Sequence, residues 1–439
     1  MKIIIAGAGK VGFELARSLS VDHQVTVIDQ NADALNRLHE LIDIFPVVGN
    51  IEDPATYRRL SDTREDVFIA VTDSDEANLL ATLLIDDAVE VENKVIRLRN
   101  SYFAESHFLS SLKNLTKVFP FQLAAEKMGA LLEYPEANNV KKLTGTDMKL
   151  ISVKVDNPTH EEKFMGLFEN AHLKVVGIER DKQFMIPERE EVIVHGDLLY
   201  FLGDGEVLKT MYSELDLGMP HKIATAVIFG AKTVGIEIAK VLIDAGITVK
   251  MIEKDIKQCE RASGILQDKA LIINSHYDEA ILYEEENLSS ADVMIATDKQ
   301  DESNIVRALQ AQEHGIPKVI AINNEKKYYA LMHQLGIVVA RGPRTSAYYA
   351  ILESLSASSS VASKHFCGGE GVVLSFRISE ALLGREFRRW TVEEGVILVE
   401  REGSLLLWSE TIQFEAEDML FLVTVTKYEE KAKHWIDSL

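Results

Sequence analysis

The sequence predicts an α/β protein in which two doubly wound parallel-sheet domains are each followed by a small α+β C-domain, as a tandem duplication. Three observations predict this: the chain matches itself in one order along its length, short β-branched runs alternate with amphipathic stretches, and a glycine-rich turn follows the first run. Ile3 to Gly12 reads IIIAGAGKVG, and Val227 to Gly235 reads VIFGAKTVG in the same phase. VTVID from Val25 returns as VKMIE from Val249, and VFIAVTDSDEANLL from Val67 returns as VMIATDKQDESNIV from Val293. NKVIRLRN from Asn93 is echoed by PKVIAINN from Pro317, which sets Ala321 and Asn323 against Arg97 and Arg99.

Within the first copy the pattern reads strand at 2–6, helix from Val11 to Leu19, strand at 24–28 and helix from Ala32 to Leu41. Such alternation predicts βαβ units with helices on both faces of a parallel sheet. Residues 1–119 form the first N-domain and 221–342 its copy. An amphipathic stretch starting at Pro120 (120–143) and another starting at Pro343 (343–365) read as connecting helices, the second running into a serine-rich joint, Ser354 to Ser363. The C-domains occupy 144–220 and 366–439, with HGDLLYFL at His195 and AEDMLFLV at Ala416 in equivalent places.

At 439 residues the chain is long enough for several domains, and 46% apolar with 26% charged residues is ordinary for folded chains. A formal charge of −22, from 47 basic against 69 acidic residues, argues against nucleic acid as a partner, because that affinity is carried by Lys and Arg on phosphates. No stretch of eighteen residues lacks Asp, Glu, Lys and Arg, so a bilayer-spanning helix is not expected. With Cys259 and Cys367 as the only cysteines, a reducing, cytoplasmic setting is expected.

Gly7, Gly9 and Gly12 form GxGxxG between a strand and a helix, the Rossmann-like fingerprint. Gly7 permits the turn, Gly9 lets a pyrophosphate approach the backbone, and Gly12 lets the helix pack on the strand. Ala8, Lys10 and Val11 complete the loop and the first helical turn, whose free N–H groups and positive dipole end suit a phosphate. Asp29 ends the next strand, where its carboxylate can accept both hydroxyls of an adenosine ribose and would repel a 2′-phosphate; NAD(H) or an adenine nucleotide is favoured over NADP(H). The second copy carries Lys232 at the central glycine and Ser275 and His276 in place of Gly49 and Asn50, while Glu253 survives as the acidic strand end, so a mononucleotide or nothing is expected there rather than a dinucleotide in the standard pose. Arg97 and Arg99 alternate on a strand ending at the crevice, either to grip phosphates or as surface arginines. Motifs for hydride transfer, acyl transfer or zinc binding are absent, and Asp75 and Asp301, in the shared Asp-Glu-x-Asn, read as helix caps.

These residues resemble the tandem RCK (regulator of conductance of potassium) family, the TrkA subunits of bacterial Trk potassium uptake, over essentially the whole chain. The resemblance implies no catalysis, but a peripheral regulatory subunit on the inner face of the plasma membrane. It would assemble as a homo-oligomeric, tetrameric ring beneath a separate membrane-embedded potassium transporter subunit and change its gate on exchange of NAD(H), ATP or ADP. By position it implies phosphates on Gly7, Gly9 and Gly12, ribose on Asp29, a pocket lined by Thr72 and Asp73, and the distal half of the ligand on Arg97 and Arg99. Where the family commonly has an acidic residue after Gly49, this chain has Asn50, with Asp53 three residues further on. The competing reading is an NAD-dependent oxidoreductase with a degenerate second half.

Overall fold

The computed structural model describes residues 1–58, 60, 64–105, 109, 112–135, 137–155, 171–181, 183–187, 191–214, 222–276, 281–356, 361–383, 395–408 and 413–439. The junction expected at 220 and residues 357–360 of the serine-rich joint lie outside the described residues. The chain divides into two compact units, one of residues 1–125 with 341–355 and one of 126–340 with 356–439.

In the first unit, β1 (Lys2–Ala6), β2 (Gln24–Asp29), β3 (Phe45–Val48), β4 (Arg64–Ala70), β5 (Glu90–Arg97) and β6 (Leu115–Val118) form a six-stranded sheet of order 3-2-1-4-5-6. Every pairing is parallel. Period-2 alternation sends Ile3 and Ile5 to one apolar cluster and Ile4 and Ala6 to another, so the run IIIA is buried on both faces. α1 (Lys10–Leu19) and α2 (Ala32–Leu41) cover the first face, with Val11, Leu15, Leu35 and Leu38 buried in it. α3 (Pro54–Arg58) and α4 (Asp75–Ala88) cover the second.

Two connecting helices follow, α5 (Pro120–Glu133) and, much later, the helix Pro343–Ser356. The later one packs within the first unit: Ala347 and Ile351, both fully buried, belong to the same apolar cluster as Val11, Leu15 and Ala16 of α1. Burying one isoleucine of this kind is worth about 1.5–3 kcal/mol. Tyr348 Oη also donates to Ser18 Oγ at 3.1 Å. α5 crosses into the second unit, where a side chain at Gly129 would come within 2.5 Å of Val241.

The second unit repeats the parallel sheet with β12 (Thr225–Phe229), β13 (Thr248–Glu253), β14 (Ala270–Asn274), β15 (Val293–Ala296), β16 (Lys318–Asn323) and β17 (Val338–Arg341), in the same spatial order. Its helices include α6 (Gly205–Glu214), α7 (Thr233–Asp244), α8 (Ile256–Leu266), α9 (Ile281–Glu285), α10 (Asp301–Glu313) and α11 (Lys326–Gln334); Pro343–Ser356 is α12. Before it stands an antiparallel sheet of β7 (Ala137–Lys142), β8 (Met148–Lys154), β9 (Leu173–Arg180), β10 (Gln183–Met185) and β11 (Leu198–Asp204). After it stands another, of β18 (Val361–Phe366), β19 (Gly371–Arg377), β20 (Gly395–Arg401), β21 (Ser404–Leu407) and β22 (Met419–Val425), followed by α13 (Glu429–Asp437). The two share one core, in which Phe184, Tyr200 and Leu202 meet Phe366, Val373 and Phe421.

Each C-domain is tied by the same clamp. Arg180 Nε and Nη2 donate to the two carboxylate oxygens of Asp197 at 2.9 and 2.8 Å, and Arg401 does the same to Asp418 at 2.9 and 2.7 Å. Asp197 and Asp418 are each only 1% exposed, so neither carboxylate has water as an alternative partner. Arg401→Met should therefore cost about 3–5 kcal/mol, read as a shift of the urea midpoint; a change below about 1 kcal/mol would show that the buried carboxylate does not need its fork.

A second ionic cluster fastens α13 to β18, with His365 Nε2 at 2.7 Å and Lys433 Nζ at 2.9 Å from the Glu429 carboxylate. Burial alone would raise that carboxyl; the hydrogen bond from His365 and the charges of His365 and Lys433 outweigh it and hold it at about 2, against an ordinary 4.5. A depressed carboxyl stabilises the fold above its ordinary value and ceases to as pH falls through the folded value. Glu429→Gln should thus flatten the loss of stability between about pH 4.5 and 2, by about 3 kcal/mol in acid titrations of the melting temperature.

Candidate functional site

The order 3-2-1-4-5-6 reverses direction between β1 and β4, which opens a crevice at the carboxyl ends of those strands. Gly7 follows β1 with φ +113°, and a side chain there would meet Thr72 at 3.0 Å, so the turn accepts only glycine. At Gly12 an added Cβ would lie 1.9 Å from the Gly7 carbonyl oxygen, so helix and strand could not close. Gly9 differs from both. Its φ of −67° suits any residue, and a Cβ placed on it meets nothing within 4 Å.

Asp29 closes the crevice on the other side. Its Oδ2 accepts the Ala8 N–H at 2.7 Å and its Oδ1 the Asn31 N–H at 2.8 Å. Those bonds fix the carboxylate beside the loop, and each oxygen keeps a lone pair for a hydroxyl donor. Lys10 is exposed at the start of α1, while Val11 is buried in the core below it.

Residues 72, 73, 97 and 99 converge because of one side chain. Asn78, fully buried on α4, accepts the Thr72 N–H at 2.9 Å and the Thr72 hydroxyl at 2.7 Å, and donates to the carbonyls of Thr72 at 3.1 Å and Arg97 at 2.9 Å. The ends of β4 and β5 are thereby stapled together. Arg97, 6% exposed, donates from Nη1 to Asp73 Oδ1 at 3.1 Å, and Arg99 donates to the Asp73 carbonyl at 3.1 Å. Burial lowers the Arg97 guanidinium from its ordinary value, and Asp73 partly restores it; it remains a cation. Its Nε is buried without a hydrogen-bond partner. The two arginines meet at Asp73 with unlike exposure, one buried and one open to solvent.

Asn50 and Asp53 are placed in the next turn, both exposed, where Asn50 Oδ1 accepts the Glu52 N–H at 3.0 Å and Asp53 Oδ1 accepts the Ala55 N–H at 2.9 Å. Both side chains shape the start of α3.

Asp75 and Asp301 are not helix caps. Ser74 caps α4, accepting from Ala77 N–H, and Asp75 is buried with its carboxylate taking the N–H groups of Arg99 at 2.7 Å and Asn100 at 2.9 Å. Asp301 takes those of Asn324 at 3.0 Å and Glu325 at 2.9 Å. A buried carboxylate satisfied by two amides of a neighbouring loop is worth more than an exposed cap, and the shared Asp-Glu-x-Asn is thus a clamp and a staple. These bonds also correct the match between copies: Asn304 reaches the Ile322 carbonyl where Asn78 reaches Arg97, so Ile322 and Asn324, one residue beyond Ala321 and Asn323, replace the arginines.

In the second copy Glu253 keeps the role of Asp29, accepting Ala231 N–H at 2.9 Å and Asp255 N–H at 3.0 Å, but is only 1% exposed. Among the described residues no cluster of His, Cys, Asp and Glu could hold a metal ion, and no helix is long and apolar enough to cross a membrane.

Fold and site together define a class: a duplicated Rossmann-like protein with one crevice shaped for a nucleotide and a second whose loop and strand ends differ. The TrkA-N domain model matches residues 3–111 and 226–341, and the chain belongs to that family. It is 29% identical over 355 residues to a Trk system potassium uptake protein TrkA homolog of Archaeoglobus fulgidus, covering 79% of each chain. With the Trk system potassium uptake protein TrkA of Halomonas elongata it shares 28% over 361 residues, 80% of this chain and 78% of that one. The fold is that of the GsuK RCK domain, at TM-score 0.62 and 15% identity over 100% of this chain and 95% of that one. A GsuK channel bound to NAD superposes at TM-score 0.63, with 16% identity over 100% of this chain and 79% of that one. The curated relatives carry the names of transport-system proteins, which sets the oxidoreductase reading aside.

The glycines differ in what the fold requires of them. Gly12→Ala should lower the melting temperature by roughly 10 °C or more or prevent folding, since overpacking against backbone costs about 1–3 kcal/mol or more. Gly9→Ala should leave it within about 2 °C, and thermal melts by circular dichroism decide; equal losses would show that Gly9, too, is required by the turn.

Proposed function

We propose that the chain is the peripheral, nucleotide-sensing subunit of a potassium uptake system, binding NAD(H), ATP or ADP in the first crevice and gating a separate potassium-translocating membrane protein from the cytoplasmic side. The observation that carries this reading is Gly9, a glycine where neither backbone angle nor neighbouring atoms require one. A ligand approaching the backbone accounts for it. The names of the relatives, and of neighbours bound to NAD and to ADP, support the choice of transport system and ligand.

In this reading the diphosphate rests over Gly9 against the first-turn amides of α1, which have no intrahelical acceptors. Asp29 takes the adenosine ribose through its remaining lone pairs, while Thr72, Asp73, Arg97 and Arg99 face the distal half. A phosphate there competes with Asp73 for the Arg97 guanidinium, so ATP, ADP and NAD(H) differ in how far they break that ion pair. Asn50 and Asp53 border the adenine side. Signal leaves through α1: the helix that carries the phosphate is the one on which Ala347 and Ile351 of α12 are packed. A ligand shifts such an arrangement only by its differential affinity for two states, about 1–3 kcal/mol per site, and a tetrameric ring would sum several sites.

Titration calorimetry should find NADH and adenine nucleotides bound and NADPH excluded. Asp29→Ala should weaken NADH at least about 100-fold, the loss of two hydrogen bonds to a charged group. Gly9→Lys should abolish binding without altering the melt. In cells carrying the chain with its membrane partner, potassium uptake should lose its nucleotide dependence in Gly9→Lys. Steady hydride turnover with any hydroxy or keto acid, or uptake indifferent to Gly9→Lys, would overturn the reading.

A further inference from the structure

The second copy retains the turn and alters what faces a ligand. Gly230 has φ +112°, and a Cβ on Gly235 would lie 2.0 Å from the Gly230 oxygen, so both glycines that the fold requires remain. Lys232 stands where the first copy has Gly9, on almost the same backbone, φ −75° and ψ 176° against −67° and −176°. The loop itself is therefore intact. What differs is the side chain, which rises from the surface that a diphosphate would touch.

A second change accompanies it across the crevice. Asn304 binds the Asp298 N–H as Asn78 binds that of Thr72, so Asp298 holds the position of Thr72. Lys232 Nζ lies 3.5 Å from Asp298 Oδ1. The glycine and the threonine of the first copy have thus become a cation and an anion that face each other from the end of β12 to the end of β15. Both are partly exposed, so their mutual attraction is modest. The exclusion is steric, and the ion pair serves to keep the lysine over the loop. Lys299 follows where the first copy has Asp73, and Ile322 stands for Arg97.

From this geometry we infer that the second crevice is closed from within by Lys232 and Asp298, and that the chain binds one nucleotide where two sites were once available. The ion pair spans, with the chain's own side chains, the gap between strand ends that a ligand would span in the first copy. The count of one rests on the function proposed above; the closure does not. The loop and the helix start that would take a diphosphate persist in the second copy, with Glu253 at the strand end though more buried than Asp29, so Lys232→Gly with Asp298→Thr should open it.

Calorimetry with ADP on four forms tests this: the natural chain, the Lys232→Gly/Asp298→Thr chain, Gly9→Lys, and Gly9→Lys with the two opening substitutions. The expected stoichiometries are about one, two, none and one per chain, with Lys232→Ala as a milder opening variant should the pair fold poorly. An opened chain that gains no site in either background, while melting like its parent, overturns the closure. So does a natural chain that binds two, or Gly9→Lys retaining one. A natural chain that binds none, but gains one when opened, would sustain the closure and sink the proposed function of the first crevice.

Discussion

The buried amide of Asn78 is the interaction on which the crevice depends. Four hydrogen bonds at one side chain, three with backbone and one from the Thr72 hydroxyl, tie Thr72 to Arg97 and hold the ends of β4 and β5 together. A buried amide of this kind is costly unless every donor and acceptor is met, and here each is. Asp75, one turn earlier on the same helix, fixes the following amides of Arg99 and Asn100. Helix α4 thus determines where the Arg97 guanidinium emerges, and the glycine loop need only supply the opposite wall. The second copy repeats the staple through Asn304 and the clamp through Asp301. Its frame has survived the loss of the groups that the frame positions in the first copy.

That separation explains which parts of the site were legible in the sequence. Strand, glycines and helix carry strong local signals: β-branched runs, a residue demanding positive φ, a 3.6-residue apolar stripe. The structure places β1, α1, β2 and α2 within a residue or two of where those signals put them. Asp29 was legible because its position at a strand end is itself local. The roles of Asp75, Asp301 and Asn78 were not, because an Asp at a helix start caps it or crosses to another loop according to contacts more than twenty residues away. The exchange of Arg97 for Ile322 rather than Ala321 was hidden for a related reason: the copies differ by one residue between α4 and the next strand end, and only the hydrogen bonds reveal the shift. The arginine clamps of the two C-domains joined residues 17 apart that no pattern links.

The duplication matters physically because the halves no longer have to be alike. In a protein made of identical copies, a side chain over the glycine loop would close every site at once. Within one chain, Lys232 closes one crevice and leaves the other unaffected. The second parallel-sheet domain keeps its core, with Val227, Phe229, Met294 and Ala296 buried as their counterparts are.

The packing of α12 crosses the boundary between the copies as the sequence draws it. This helix follows the second parallel sheet in sequence, yet its apolar residues Ala347 and Ile351 are buried among those of α1 in the first unit. Any movement of α1, whose amino end borders the glycine loop, therefore meets a segment that belongs, along the chain, to the second copy. Close packing makes that transfer stiff, because a core at crystal-like density repacks in steps rather than yielding gradually. A helix supplied along the chain by the second copy is in this way part of the core of the first.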